Sequence, residues 1–236
     1  MKLKDFFLDL FFPKKCLGCG KSDTYLCSDC FNKIEIIEYI EHKSNTYLDK
    51  VIFVTNYANP LVRELIKNFK YQFAQELSEP LAQLLIKVLK TFNLDTQISA
   101  QGGPASGWQS NPNSKFLIIP IPLHKYRLRN RGFNQAELLA EKVAKHFNLP
   151  ITTNILRRII YTEPQANLKD NNEKRLNNIQ NAFVVDPEQS RREIIRDKIV
   201  ILVDDVITTG GTLNEAAKAL RAYNPQEIWA LTVAKG

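Results

Sequence analysis

No stretch of the 236-residue chain approaches the ~20 apolar residues that a membrane-spanning helix needs, so no membrane span is expected. The opening MKLKDFFLDLFFPKK mimics a signal peptide weakly, but Asp5 and Asp9 interrupt its apolar part and no small-residue cleavage site follows. A short amphipathic helix and a cytoplasmic protein are expected instead. No internal repeat is visible. Neither GxxxxGK[ST] nor GxGxxG occurs, which argues against a Walker-type nucleotide loop and a dinucleotide fold. Glycine is scarce, with nine residues confined to four clusters and the C-terminus. What remains is an ordinary globular composition, 44% hydrophobic and 24% charged, which excludes a wholly disordered chain.

The charge that is present is concentrated. Net charge is +7, yet residues 1–50 carry eight bases and eight acids. Residues 118–150 carry six bases against two acids, and four of those bases fall within Lys125–Arg131.

All four cysteines lie early, as Cys16-Leu-Gly-Cys19, seven residues, then Cys27-Ser-Asp-Cys30. Each CxxC turn offers two thiolates to one side of a tetrahedral ion, and Gly18 and Gly20 permit the tight turns such a knuckle requires. A redox CxxC would open a helix beside a βαβ unit, and disulfides suit a cytosolic chain poorly. The spacing therefore points to one closed, structural zinc, contributing on the order of 10 kcal/mol to folding the module.

From Val51 onward the pattern alternates. Strands are expected over 51–57, 115–122, 182–185, 198–203 and 227–234, with a further short one inside 151–159. Helices are expected from Asn59-Pro60 to about Tyr71, over 77–92, over 134–147, and from Thr212 to about Ala222. Such alternation predicts an α/β fold with a mostly parallel sheet and flanking helices on both faces. Two domains are expected: residues 1–48, with the N-terminal helix and cysteine module, and residues 49–236. Residues 95–114, rich in Gly, Pro, Ser, Gln and Asn, read as a mobile insertion, and the polar residues 157–181 as a lid in which Arg157, Arg158, Gln165, Lys174 and Arg175 could touch a ligand.

The segment VILVDDVITTGGTL (200–213) carries the most chemistry. A buried strand ends on Asp204 and Asp205, and a Thr- and Gly-rich loop leads into a helix. Ligands of open α/β sheets bind at the carboxyl ends of strands. Thr208, Thr209, Gly210, Gly211 and Thr212 would direct backbone N–H groups, hydroxyls and a helix N-terminus at one phosphate. The two acids stand at the distance of sugar hydroxyls, reached directly or through magnesium. A second loop, His124-Lys125-Tyr126-Arg127-Leu128-Arg129-Asn130-Arg131-Gly132, follows another strand end. Its Lys125, Arg127, Arg129 and Arg131 suit a pyrophosphate, with Gly132 giving backbone access. They also suit nucleic-acid phosphates, with Tyr126 and Phe133 as stacking rings, or a solvated basic turn.

The strand, two acids and TTGGT resemble the phosphoribosyl pyrophosphate (PRPP) motif of type I phosphoribosyltransferases. That resemblance implies ribose contacts, and a catalytic role, for Asp204 and Asp205, and 5′-phosphate contacts for residues 208–212. Phe69-Lys70-Tyr71, Pro120-Ile121-Pro122-Leu123-His124, Arg131-Gly132-Phe133-Asn134-Gln135, Thr162-Glu163-Pro164-Gln165, Lys174-Arg175, Asn178 and Ala182-Phe183 follow the cysteine knuckle in order. Together these motifs are similar to the ComF family, bacterial competence-associated proteins. The 95–114 insertion and the AKG ending depart from its pattern. The resemblance implies a type I phosphoribosyltransferase-like domain with an N-terminal four-cysteine zinc module, PRPP bound with magnesium, and pentosyl transfer to an unassigned acceptor. It also implies a part in natural transformation and DNA uptake; the alternative is a non-catalytic protein binding single-stranded DNA beside a helicase. Purified protein is expected to contain about one zinc per chain by metal analysis, with none after replacement of Cys16 and Cys19 by serine.

Overall fold

A computed structural model describes residues 14–37, 39–41, 46–70, 74–92, 114–161, 180–186 and 192–236. The expected N-terminal helix, nearly all of the 95–114 insertion, and lid residues Gln165, Lys174 and Arg175 lie outside the described residues.

Five strands form the main sheet. β1 (Tyr39–Glu41) and β2 (Lys50–Asn56) are followed by α2 (Pro60–Lys70) and, after a 3-10 turn at Ala74–Leu77, by α3 (Ser78–Lys90). A short helix, α1 (Ser28–Asn32), precedes them in the cysteine module. Next come β3 (Phe116–Pro120), α4 (Lys125–Arg131) and α5 (Gln135–His146). A hairpin of β4 (Leu156–Arg158) and β5 (Phe183–Val185) leads to α6 (Arg192–Ile195), β6 (Ile199–Ile207), α7 (Gly211–Arg221) and β7 (Glu227–Lys235). The order is β1-β2-β7-β6-β3, parallel throughout except for β1.

Strand residues alternate between two buried faces. Ile201, Val203, Trp229, Leu231, Ile52, Val54 and Ile118 pack with α2, α3 and α5. Val200, Leu202, Ile228, Ala230, Phe53 and Leu117 pack with α7 and the β4–β5 hairpin. Both faces being covered explains why these strands read as continuous apolar runs. The helix caps follow the sequence: Asn59 Oδ1 accepts from Leu61 N and Val62 N at 3.0 and 3.2 Å, with Pro60 opening α2. Asn134 Oδ1 accepts from Ala136 N at 3.2 Å, while its Nδ2 donates to Ile121 O at 3.1 Å, tying α5 to the end of β3.

Three features depart from the expected elements. β6 continues to Ile207, so Asp204 and Asp205 lie inside the strand and not at its end. The basic loop is a helix, α4, because His124 caps it, Nδ1 accepting from Tyr126 N at 3.3 Å, and Gly132 closes it. β1 falls within the expected cysteine-module domain but is an edge strand of the main sheet, and Ile34 joins the large core, so the two units share one interior.

Candidate phosphoribosyl and zinc sites

β6 brings Asp204 and Asp205 to the carboxyl edge of the sheet, with Asp204 opposite Thr232 of β7. Beyond Ile207 the chain turns through Thr208 and Thr209 to Gly210, whose φ of 83° only glycine adopts without strain, and enters α7 at Gly211. Gly236 N donates to Ile207 O at 2.8 Å and pins the base of this loop. Asp204, Val206 and residues 207–213 line one cleft, so the structure unites the acid and the expected phosphate loop.

The acids are not equivalent. Asp205 is 7% exposed and its Oδ2 lies 3.0 Å from Lys70 Nζ, at the last residue of α2. Asp204 is half-buried, and its Oδ1 accepts from Asp205 N at 2.8 Å. Burial and the adjacent Asp205 carboxylate push Asp204 up to about 7, against the opposing pull of that N–H, Lys70 and Arg158. Burial would lower Lys70, but Asp205 more than compensates and holds it above the usual lysine value. Arg158 of β4 is lowered by burial and by the charge of Arg127, with Asp204 opposing.

Helical geometry divides the four bases of α4. Arg127 and Arg131, four residues apart, are half-buried, whereas Lys125 and Arg129 stand exposed. Arg131 Nη1 donates to Gln135 Oε1 at 3.0 Å and its charge reaches Lys70. The guanidinium of Arg127 lies over the Tyr161 ring at 5.8 Å, and Tyr161 also meets His124 and Tyr126 edge-on, each at 5.4 Å. Gly132 has φ 79° and donates its N–H to Leu128 O at 2.8 Å. A side chain there would meet nothing within 4 Å. It ends the helix in the left-handed conformation. Phe133 is half-buried and packs against Phe69 at 6.1 Å, at the margin of the core.

Lys70 stands in the sequence as part of a motif with no evident role, because nothing local marks a lysine at a helix end as the partner of a strand acid 135 residues later. The buried Gln135 links those segments, as its Nε2 donates to Phe69 O and Lys70 O at 3.5 and 3.4 Å.

In the cysteine module, the sulfurs of Cys16, Cys19, Cys27 and Cys30 all lie within 4.8 Å of one another. Cys16–Cys27 and Cys19–Cys27 Sγ separations are 3.7 and 3.6 Å. A tetrahedron with ~2.3 Å zinc–sulfur bonds has edges of about 3.8 Å, so the donor set fits zinc. Burial and the neighbouring thiols push Cys30 up to about 12, whereas backbone N–H groups of the knuckle outweigh burial at Cys16 and bring it down to about 6. Gly20 has φ 77°, as the expected turn needs. Gly18 serves differently: a Cβ there would lie 2.7 Å from Cys30 Sγ. Leu61 of α2 packs against the cysteine cluster.

Residues 134–236 match a phosphoribosyl transferase domain, and residues 7–40 match a double zinc ribbon domain. Competence protein F of Haemophilus influenzae is 30% identical over 243 residues, spanning 94% of this chain and 97% of that protein. The chain belongs to the ComF family. Its four cysteines form the family's structural zinc site. Competence protein ComFC of Bacillus subtilis is 33% identical over 109 residues, covering 46% of this chain and 40% of that protein. The DNA utilization protein YhgH of Escherichia coli K12 is 28% identical over 185 residues, covering 77% of this chain and 71% of that protein. α2 of this ComF-family protein precedes the transferase match, yet its Lys70 supplies charge to the acid pair.

Raising Asp204 above its ordinary value means that the folded state retains a proton which the unfolded chain releases. This group therefore costs stability increasingly as pH rises from about 4 to about 7. Asp204→Asn removes that cost, and the ligand-free melting temperature at pH 8 is expected to rise by about 4 °C, with little change at pH 4, in thermal scans.

Proposed function

We propose that the cleft at the carboxyl edge of β6 binds PRPP as its magnesium complex. The observation that carries this reading is the meeting, in one cleft, of the Gly210-centred loop with Asp204, whose neighbour Asp205 is paired with Lys70 of α2. The 5′-phosphate would sit on Thr208, Thr209, Gly210, Gly211 and Thr212 at the positive end of α7. The ribose hydroxyls would face Asp204 and Asp205. The pyrophosphate would lie toward Arg127 and Arg131, with Lys125, Arg129 and Arg158 adding to the field. Magnesium, carried by the diphosphate, would screen its charge.

This arrangement suits pentosyl transfer. An acceptor nitrogen forms a bond to the anomeric carbon while the carbon–oxygen bond to pyrophosphate breaks. The sugar becomes cationic on the way and the leaving group anionic. The demand is for electrostatic stabilisation and exclusion of water, which carboxylates beside the ribose and arginines beside the diphosphate supply.

The names of the competence and DNA utilization proteins support a part for this relative in DNA uptake. Among the described residues no helix is long and apolar enough to cross a membrane. Four cysteines without disulfides, gathered as a donor set that fits zinc, suit a reducing compartment, which favours work in the cytoplasm. By calorimetry at neutral pH with magnesium, Asp204→Asn with Asp205→Asn is expected to weaken PRPP binding by about a hundredfold or more, each lost charged contact contributing about 1.5–3 kcal/mol. Unchanged affinity in the folded double variant would end the reading.

A specific observation favours a second activity, single-stranded DNA binding with a helicase as partner. Lys125 and Arg129 are exposed on α4 beside Tyr126, which is 55% exposed, and Leu128. Exposed cations interleaved with a ring suit a phosphate track with base stacking. Replacing Lys125 and Arg129 by glutamate is expected to lower single-strand affinity about tenfold or more and to flatten its salt dependence in fluorescence titrations. An unaltered salt slope would remove α4 from any DNA surface.

A further inference from the structure

A groove of about 540 Å³ separates α4 from the β4–β5 hairpin, and its lining shares no residue with the Asp204 cleft. His124 and Leu128, four residues apart, belong to its α4 wall, whereas Arg131 reaches away to Gln135. Leu128 on one wall and Ile159 on the other are 42% and 51% exposed, so apolar surface stands open on both sides. The lining is basic: Lys125, Arg157 and Arg158 face one acid, Asp186, whose Oδ2 lies 3.0 Å from Arg157 Nη1. Rings gather beside it, because Tyr161 meets His124 and Tyr126 edge-on and carries the guanidinium of Arg127. Thr153 Oγ1 donates to Asn154 Oδ1 at 3.2 Å, so the amide N–H groups are what Asn154 offers to the groove.

A concavity of roughly 300–1,000 Å³ with apolar walls and a few polar groups suits one small molecule. The cations call for an anion, the rings for a flat ring system, and the amide for a hydrogen-bonding edge. A nucleotide carries all three.

We propose that this groove binds one nucleotide, its base against Tyr161 and His124 and its phosphate on Lys125 and Arg157. The nucleotide is either free or one residue of a single strand, since both present the same chemistry. The site lies outside the phosphoribosyl cleft and stands whether or not that cleft binds PRPP. Arg158 lines the groove and its charge reaches Asp204, so the two sites adjoin.

The test uses zinc-loaded protein carrying Asp204→Asn with Asp205→Asn, which removes the ribose contacts of the cleft, beside the parent. One probe is a nucleoside 5′-monophosphate, titrated by calorimetry. The other is a short oligothymidylate without terminal phosphates, followed by fluorescence anisotropy. Saturable binding of the monophosphate assigns the groove to free nucleotides, and binding of the oligonucleotide alone assigns it to a strand. Whichever probe binds is expected to bind the acid variant as it binds the parent. Its affinity should fall about tenfold on Tyr161→Ala, the loss of one stacked base, and stay within about threefold on Tyr161→Phe. Lys125→Ala with Arg157→Ala should cost about tenfold or more and flatten the salt dependence. These side chains reach solvent, so melting temperatures should stay near the parent's. Binding by neither probe would overturn the proposal. Binding lost in the acid variant would belong to the cleft and overturn it too. A loss confined to the cation pair, with Tyr161→Ala silent, would mark a site for phosphate alone and would also overturn it.

Discussion

Two carboxylates side by side near the end of a buried strand are the constraint on which the rest of the site depends. Strand β6 is covered on both faces, so each acid needs its own answer to burial. Asp205 finds Lys70 on one face. Asp204 finds a backbone N–H and the more distant charge of Arg158, and its carboxyl remains raised. The two acids are thus compensated unequally within one strand. The loop that follows, with Gly210 in the left-handed region, then turns the chain so that α7 begins beside Asp204.

Helix α2 connects this constraint to the zinc module. Near its start Leu61 packs on the cysteine cluster, and at its end Lys70 meets Asp205. Eleven residues of helix span about 16 Å, so one rigid element joins the metal knuckle to the acid pair. Tyr25, Leu26 and Phe31 add apolar contacts between the module and the large core, and Lys14 pairs with Glu76 at 2.6 Å. The zinc module is therefore part of the scaffold of the site and not an appendage, although its sulfurs lie apart from the acids.

Much of this was legible in the sequence because it is local. The paired CxxC spacing, Asn59-Pro60 and Asn134 as caps, the apolar runs of β3, β6 and β7, and the acid–loop–helix segment each carry their physical cause within a few residues. The features that differ depend on partners distant in sequence or on end caps. Four bases in seven residues read as a loop because their spacing carries no apolar face. The helix forms because His124 and Gly132 bound it, and it needs no buried residue. Phe133 reads as a free ring, but one side of it packs on Phe69. Lys70 and Gln135 become visible only when the fold brings α2, α5 and β6 together. The net charge shows the same division. The bases are concentrated on α4, and only the helical turn separates Arg127 and Arg131, which are half-buried, from Lys125 and Arg129, which face solvent.

The central claim is that these elements assemble a PRPP site. Titration of the zinc-loaded parent protein with PRPP, in the presence and absence of magnesium, tests it most directly. Saturable binding at about one PRPP per chain, strengthened by magnesium, is the predicted result. Absence of saturable binding at millimolar PRPP with magnesium, in a protein shown to be folded, would contradict the account.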